Sequence, residues 1–127
     1  MENNKLNVLL VKPGQRPERV WIDAGLESLQ KAVGGYIEAV YPFEEPVAII
    51  ADEEGKVKGK ELNRGLRTED GKLYDVICGD FLVVGLGEDD FESLTPELME
   101  HFEEVFMQPE MFIRMGHTIE AIPVYDD

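Results

Sequence analysis

The chain has 127 residues, of which 43% are apolar and 31% charged, and a net charge of −15 at pH 7. A chain of this length buries about two-thirds of its unfolded surface, so a hydrophobic core can form without disulfides or a structural metal. The charge disfavours nucleic acid and anionic membranes as partners, because both are bound through clustered Lys and Arg.

The first half of the chain predicts four strands and one helix. Residues 6–11, 18–22, 36–41 and 47–51 are apolar or alternate between apolar and polar positions, as strands do. Between the second and third strands, Leu26, Leu29 and Val33 have helical spacing. We expect Asp23 to cap this helix and Gly34-Gly35 to end it.

The second half is less regular. Residues 56–71 are polar and predict either a short helical turn or an ordered loop, with no preference between them. Residues 74–77 and 81–86 predict two strands around Gly79-Asp80, a hairpin or bulge signal. Thr95-Pro96 begins a helix with Leu98, Phe102, Val105 and Phe106 as its apolar stripe, and Pro109 follows it. Residues 111–124 predict an edge strand.

These elements predict a single α+β domain with a mainly antiparallel sheet and two helices. The first five elements share the order of a β-grasp fold. Cys78 stands alone in an apolar stretch, which predicts a buried, unreactive thiol and no internal disulfide. The start of the chain lacks a basic signal region, and no apolar run is long enough to span a membrane, so we expect a cytoplasmic protein.

Four sequence signatures resemble those of a known family. They are LQKAVGGYIE at residues 29–38, DEEG at 52–55, LNR at 62–64 and GDFLVVG at 79–85. Together they resemble a family of small domains of unknown function carried by phages, plasmids and integrative elements, especially of Firmicutes. The resemblance covers about residues 5–86, with an acidic helical extension at 87–127, and implies a mobile-element source without implying an activity.

Charge is strongly segregated along the chain. Residues 88–110 hold nine Asp and Glu and no Lys or Arg, whereas residues 56–72 hold six of the twelve basic residues. Our first hypothesis is a non-catalytic module that binds a basic protein partner through Asp89, Asp90, Glu97, Glu100, Glu103 and Glu104. Helical carboxylates three or four positions apart lie about 5–6 Å from each other. This spacing is comparable to that of nucleic-acid phosphates, so such a helix could mimic a nucleic-acid backbone.

Two alternatives stay open. The first is a small-ligand or enzymatic domain with its site at Tyr36, Asn63, Arg64 and Asp80, because Arg can hold a carboxylate or phosphate with two bonds. The second is self-association, in which the basic segment of one copy meets the acidic segment of another.

Catalytic and metal chemistry find little support in the sequence. One Cys and two distant His cannot form a zinc cluster, and the acidic pairs lack calcium-loop spacing. We expect His101 to pair with Glu97 one helical turn away. We therefore predict no catalytic residues, no metal and no cofactor, and the balance favours a protein that is not an enzyme.

Overall fold

The computed structural model describes residues 5–125, which form ten strands and two helices. The elements are β1 (Lys5–Val11), β2 (Glu18–Asp23), α1 (Leu26–Val33), β3 (Ile37–Val40), β4 (Val47–Asp52), β5 (Leu62–Arg67), β6 (Leu73–Cys78), β7 (Phe81–Leu86), β8 (Phe91–Glu92), α2 (Pro96–Val105), β9 (Glu110–Met115) and β10 (Thr118–Pro123).

The main sheet has the strand order β2-β1-β7-β4-β3, and β8 pairs with the end of β7. Two smaller sheets, β5-β6 and β9-β10, complete the structure, and every strand pair in residues 5–125 is antiparallel. The α+β class with a mainly antiparallel sheet is therefore confirmed. A β-grasp sheet contains a parallel central pair, so the similarity to that fold is limited to the order of the first elements.

The main sheet is covered on both faces. Alternate residues of its central strands point to opposite sides. One face packs Val8, Ile50 and Leu82 against Leu29 and Val33 of α1. The other face packs its side chains against α2 and the β5-β6 sheet, with a core comprising Leu9, Val11, Val47, Ile49, Phe81, Val83, Met99, Phe102 and Phe106. The two helices therefore lie on opposite sides of one sheet.

Helix α1 begins later than predicted. Gly25, at φ 117°, occupies its N-cap position without a side-chain cap, so the prediction that Asp23 caps the helix is wrong. Asp23 instead ends β2 and forms an ion pair with Lys5 on β1, at 3.0 Å. The predicted end is confirmed, because Gly34 adopts the left-handed conformation at φ 78°.

Helix α2 begins as predicted. The Thr95 hydroxyl accepts a hydrogen bond from the Leu98 N–H at 3.2 Å, and Pro96 occupies the first turn. The predicted apolar stripe is wrong at Val105, which is 45% exposed, because the buried stripe runs through Met99, Phe102 and Phe106. These three positions have i, i+3, i+7 spacing, and Val105 lies beside them.

Residues 62–67, within the segment predicted as a turn or loop, form strand β5. Its buried side chains include the polar Asn63 and Arg64, so the strand lacks the apolar alternation that would predict it. Of the hairpin or bulge predicted at Gly79-Asp80, the hairpin is wrong. Strand β6 pairs with β5, whereas β7 pairs with β1 and β4, so Gly79-Asp80 carries the chain from one sheet to the other.

Residues 110–123 form a two-stranded hairpin in place of a single edge strand. Strands β9 and β10 pair from Glu110↔Pro123 to Met115↔Thr118 around a turn at Gly116-His117. The Glu110 carboxylate attaches the hairpin to β5, accepting from the Gly65 N–H at 2.6 Å and pairing with Arg67 at 3.0 Å. Neither helix in residues 5–125 has the length and apolar character needed to cross a membrane.

Candidate functional site

Two of the sequence signatures meet at the C-terminal end of α1. Asp52, the last residue of β4, lies there with its side chain 1% exposed, and Oδ2 is 2.8 Å from Lys58 Nζ and 2.7 Å from Lys60 Nζ. Lys60 Nζ also donates to the Val33 carbonyl at 2.8 Å. That carbonyl belongs to the last turn of α1, the negative end of the helix dipole. One carboxylate and one helix end therefore share two ammonium groups.

Asp52 remains ionised despite its burial. Burial by itself would raise its pKa, but hydrogen bonds from Lys58 and Lys60, and from the Glu54 N–H at 2.9 Å, outweigh that effect and hold the pKa well below the usual range. The hydrogen bond to Asp52 also raises the pKa of Lys58. Asp52 and Lys58 therefore both stay charged near pH 7.

The two glycines of the first signature are required by this cluster. Gly34 needs its positive φ, and a Cβ on Gly35 would lie 2.7 Å from Asp52 Oδ2 and 2.6 Å from Lys58 Nζ. The close approach of the chain to Asp52 explains why a second glycine follows the helix end. Gly34-Gly35 and Asp52 thus form one structural unit, although they lie apart in sequence.

Asn63 joins three segments of the chain. Its side-chain amide donates to the Val11 carbonyl at 2.9 Å and to the Gly79 carbonyl at 2.8 Å. Its Oδ1 accepts from Arg64 at 2.9 Å. With both N–H donors engaged and no exposed surface, Asn63 links β5 to the end of β1 and to the β6–β7 connection.

Arg64 is 2% exposed, and its guanidinium bonds only to oxygens of the chain. Nε and one terminal nitrogen donate to the Phe106 carbonyl at 3.3 and 2.9 Å, and the same terminal nitrogen donates to Gln15 O at 2.6 Å. The other terminal nitrogen donates to Asn63 O and Oδ1. These bonds engage all five N–H donors of an arginine. Burial lowers the pKa of Arg64.

The four candidate ligand residues therefore have different environments. Asn63 and Arg64 are buried and hold the end of α2 and two loops in place, which favours a structural role. Tyr36 is 67% exposed, and its backbone carbonyl accepts from the Glu53 N–H at 2.9 Å. Asp80 is half-buried in the β6–β7 connection. Ligand binding by this set stays a prediction.

The six acidic candidates are divided between two parts of the molecule. Asp89 and Asp90 lie in the turn before β8, where Asp90 borders a cavity also lined by Leu26 and Leu29 of α1. The other four lie on α2, on the opposite face of the sheet. Of these, Glu97, Glu100 and Glu104 are exposed.

Glu103 differs from its neighbours on α2. Its two carboxylate oxygens accept from Arg19 Nε at 2.8 Å and from a terminal Arg19 nitrogen at 2.6 Å. This bidentate pair lowers the pKa of Glu103 and raises that of Arg19, to which Glu100 also contributes weakly. Glu103 therefore connects α2 to β2 and is less available to a partner than the other three.

Sequence reasoning missed Glu44 and Glu45, which lie next to α2. Glu45 Oε2 is 3.3 Å from His101 Nε2, a pair that replaces the expected one between His101 and Glu97. Phe43 holds this loop against the helix, its ring centroid 4.8 Å from that of Phe102. No local pattern in the sequence signals this contact, because it depends on tertiary packing.

A cavity of about 440 Å³ opens beside this loop. The residues that line it include the acidic Glu44, Glu45, Glu69 and Glu110, the basic Arg64 and Arg67, and the apolar Pro42, Phe43, Val105 and Phe106. Both guanidinium groups already have partners within the chain. Glu44, Glu45 and Glu69 therefore leave an acidic border around an apolar wall.

Within residues 5–125, no group of three or more His, Cys, Asp or Glu side chains is arranged to hold a metal ion. Cys78 is 6% exposed, and burial raises the pKa of its thiol, so the reactive thiolate is disfavoured.

Comparison with known proteins gives one family match. The family model described as "Domain of unknown function (DUF3846)" matches residues 5–107. This match continues through α2, beyond the stretch 5–86 on which the sequence resemblance depends, and ends before the β9-β10 hairpin. No curated protein and no solved structure matches the chain.

Proposed function

We propose that this chain, which belongs to the DUF3846 family of domains of unknown function, is a non-catalytic module that binds a basic protein partner through α2. The observation that carries the proposal is the exposure of Glu97, Glu100 and Glu104, none of which forms an ion pair within residues 5–125. Together with Glu44 and Glu45 they define what we term the α2 acidic surface.

The adjoining cavity supports a cationic side chain as the central contact. Lys and Arg combine a long aliphatic stem with a charged end, and such residues bury the stem against apolar surface while the charge stays near water. Phe43 and Val105 provide apolar surface, and Glu44 and Glu69 provide carboxylates at the border. A protruding Lys or Arg of the partner matches both features. The opposite charges would also accelerate association.

Nucleic-acid mimicry is the narrower form of the proposal, in which the partner is a DNA- or RNA-binding protein. It is supported by the helical spacing of the carboxylates on α2. A mobile-element source and a cytoplasmic location also belong to the proposal, supported by the sequence resemblance and by the charge. Both fit an encounter with nucleic-acid-binding proteins of a host cell.

The test compares two triple variants that remove the same charge from different surfaces. Glu97→Gln, Glu100→Gln and Glu104→Gln alter the α2 acidic surface. Glu27→Gln, Glu53→Gln and Glu61→Gln alter exposed carboxylates elsewhere. Each protein is immobilised and exposed to host lysate at low salt and at about 0.5 M salt, where the Debye length falls toward 3 Å.

At low salt we expect a partner to bind the wild type and the control variant but not the α2 variant. At high salt we expect it to bind none of the three proteins. Equal loss in both variants, or binding that salt does not affect, would contradict the proposal. For mimicry, duplex DNA must compete with the domain for the purified partner. A partner that binds the domain and DNA simultaneously would exclude the mimicry form alone.

A further inference from the structure

We infer that the cleft between β6 and the β9-β10 hairpin binds a small organic anion with an aromatic or apolar body. The cleft has a volume of about 690 Å³, within the range of about 300–1,000 Å³ typical of small-molecule sites. Its walls come from the turn at residues 56–60, from strands β5 and β6, and from the hairpin. It is separate from the α2 acidic surface.

Its lining is cationic although the chain as a whole is strongly anionic. The lining residues include three basic residues, Lys56, Lys60 and Arg114, and one acidic residue, Asp75. Asp75 pairs with Lys56, and Lys60 pairs with Asp52, so among the lining residues Arg114 supplies the positive charge that has no carboxylate partner within residues 5–125. A concave site with this charge attracts anions.

Arg114 is the group most available to a ligand. Its side chain is exposed and makes no hydrogen bond or ion pair within residues 5–125. This contrasts with Arg64, all of whose donors are engaged. A free guanidinium offers paired N–H donors that match a carboxylate, sulfonate or phosphate.

The remainder of the cleft fits the body of such a ligand. Leu62, Leu73, Val76 and Ile119 are apolar residues of the lining, which also includes the aromatic Tyr74, a residue that is 55% exposed. Aromatic side chains stack on planar groups and add to the energy of apolar burial. An inorganic anion would use the charge alone, so the geometry favours an anion attached to a ring.

One wall of this cleft, the β9-β10 hairpin, lies outside the stretch that the family model matches. Arg114, His117 and Ile119 lie beyond residue 107, where the family match ends. The contacts of Glu110 with Gly65 and Arg67 hold the hairpin against β5 and so fix the distance between the two walls. The inference does not depend on the proposed protein partner.

Phenyl phosphate is the probe, and two-dimensional amide NMR of the ¹⁵N-labelled full chain is the measurement. We expect saturable shifts at Gly59, Tyr74 and Arg114 with a Kd near or below about 1 mM. Inorganic phosphate and benzyl alcohol carry the charge and the ring separately. We expect each to bind at least about fivefold more weakly, because each forgoes one class of contact.

The variant Arg114→Gln has a matched control in Lys31→Gln, an exposed cation on α1 that loses the same charge. Losing a charge-assisted pair should raise the Kd about tenfold in Arg114→Gln and less than about twofold in Lys31→Gln. The same spectra report whether each variant is folded. Absence of saturable shifts at the cleft, or equal weakening in both variants, would overturn the inference. So would equal binding of benzyl alcohol.

Discussion

The basic segment 56–72 and the acidic segment 88–110 are two blocks of opposite charge in the sequence. In the fold, the charged side chains of the two segments have different environments. Most basic side chains of the first segment have partners inside the chain. Lys58 and Lys60 form ion pairs with Asp52, Lys56 with Asp75, and Arg67 with Glu110. Arg64 donates hydrogen bonds to backbone carbonyls. On α2, Glu103 is paired with Arg19, while Glu97, Glu100 and Glu104 form no ion pair within residues 5–125.

The difference teaches that segregated charge in a sequence need not give two complementary surfaces. The basic segment stabilises the junction between α1, β4 and β5, where buried acceptors need donors. Helix α2 has one face in the core and the other in water, so its outer carboxylates have no buried groups to pair with. Self-association through these two segments stays a prediction, and the internal pairing of the cations weakens it.

The largest effect should come from removing the most thoroughly engaged cation. Arg64→Met keeps much of the volume but leaves the carbonyls of Phe106 and Gln15 without a donor. We expect a loss of about 3–5 kcal/mol in the free energy of unfolding. Urea denaturation measures it. Lys72→Met, an exposed site in the same segment, should change stability by no more than about 0.5 kcal/mol. A small effect of Arg64→Met would contradict this structural role and would favour a ligand role for Arg64.

Asp52→Asn tests the carboxylate that two lysines share. The variant removes the charge and keeps the shape, so Lys58 and Lys60 lose the negative charge that they share. We expect a loss of about 2–3 kcal/mol, less than for a fully buried pair because the lysine side chains are 39% and 25% exposed. Chemical denaturation of the neighbouring Glu53→Gln provides the control, with an expected change of about 0.5 kcal/mol or less. Equal stability of the two variants would contradict a structural role for the cluster.

The pH dependence of the same contact has a defined sign. The pKa of Asp52 is lowered in the folded state, so the unfolded chain binds more protons in acid and this contribution falls as pH falls. It should be complete above about pH 4, near the unfolded pKa, and decline below it. The stability difference between wild type and Asp52→Asn, measured from about pH 6 to pH 2.5, should therefore shrink on acidification. A difference that grows in acid would show that the sign is wrong.

The smallest effects should come from the outer carboxylates of α2. Glu104→Gln removes a like charge four positions from Glu100 and near the negative end of the helix, so the Tm should rise by about 1–2 °C. Glu97→Gln removes a favourable charge from the first turn, so its Tm should fall by a similar amount. Thermal unfolding at low salt and at about 0.5 M salt measures both, and screening should reduce both shifts. A large loss for Glu104→Gln would show that this residue has a structural partner.

Features that depend only on residues close together in the sequence were predictable. Gly34 ends α1 because the left-handed conformation is inexpensive for glycine, and Thr95-Pro96 begins α2 because both suit the first helical positions. The alternating and apolar runs likewise predicted strands β1, β2, β3, β4 and β7 of the main sheet, whereas the two-residue strand β8 was not predicted. Strand β5 escaped prediction because Asn63 and Arg64 fill its buried positions, and polar residues at such positions hide the apolar pattern.

By itself the sequence determined the α+β class, the end of α1, the start of α2 and the segregation of charge, because all four follow from residue type and short spacing. The tertiary structure alone decided which charges remain available. Arg64 meets Phe106 across 42 positions, and Arg19 meets Glu103 across 84. Local spacing carries no information about contacts at that range, since they form when whole elements pack together.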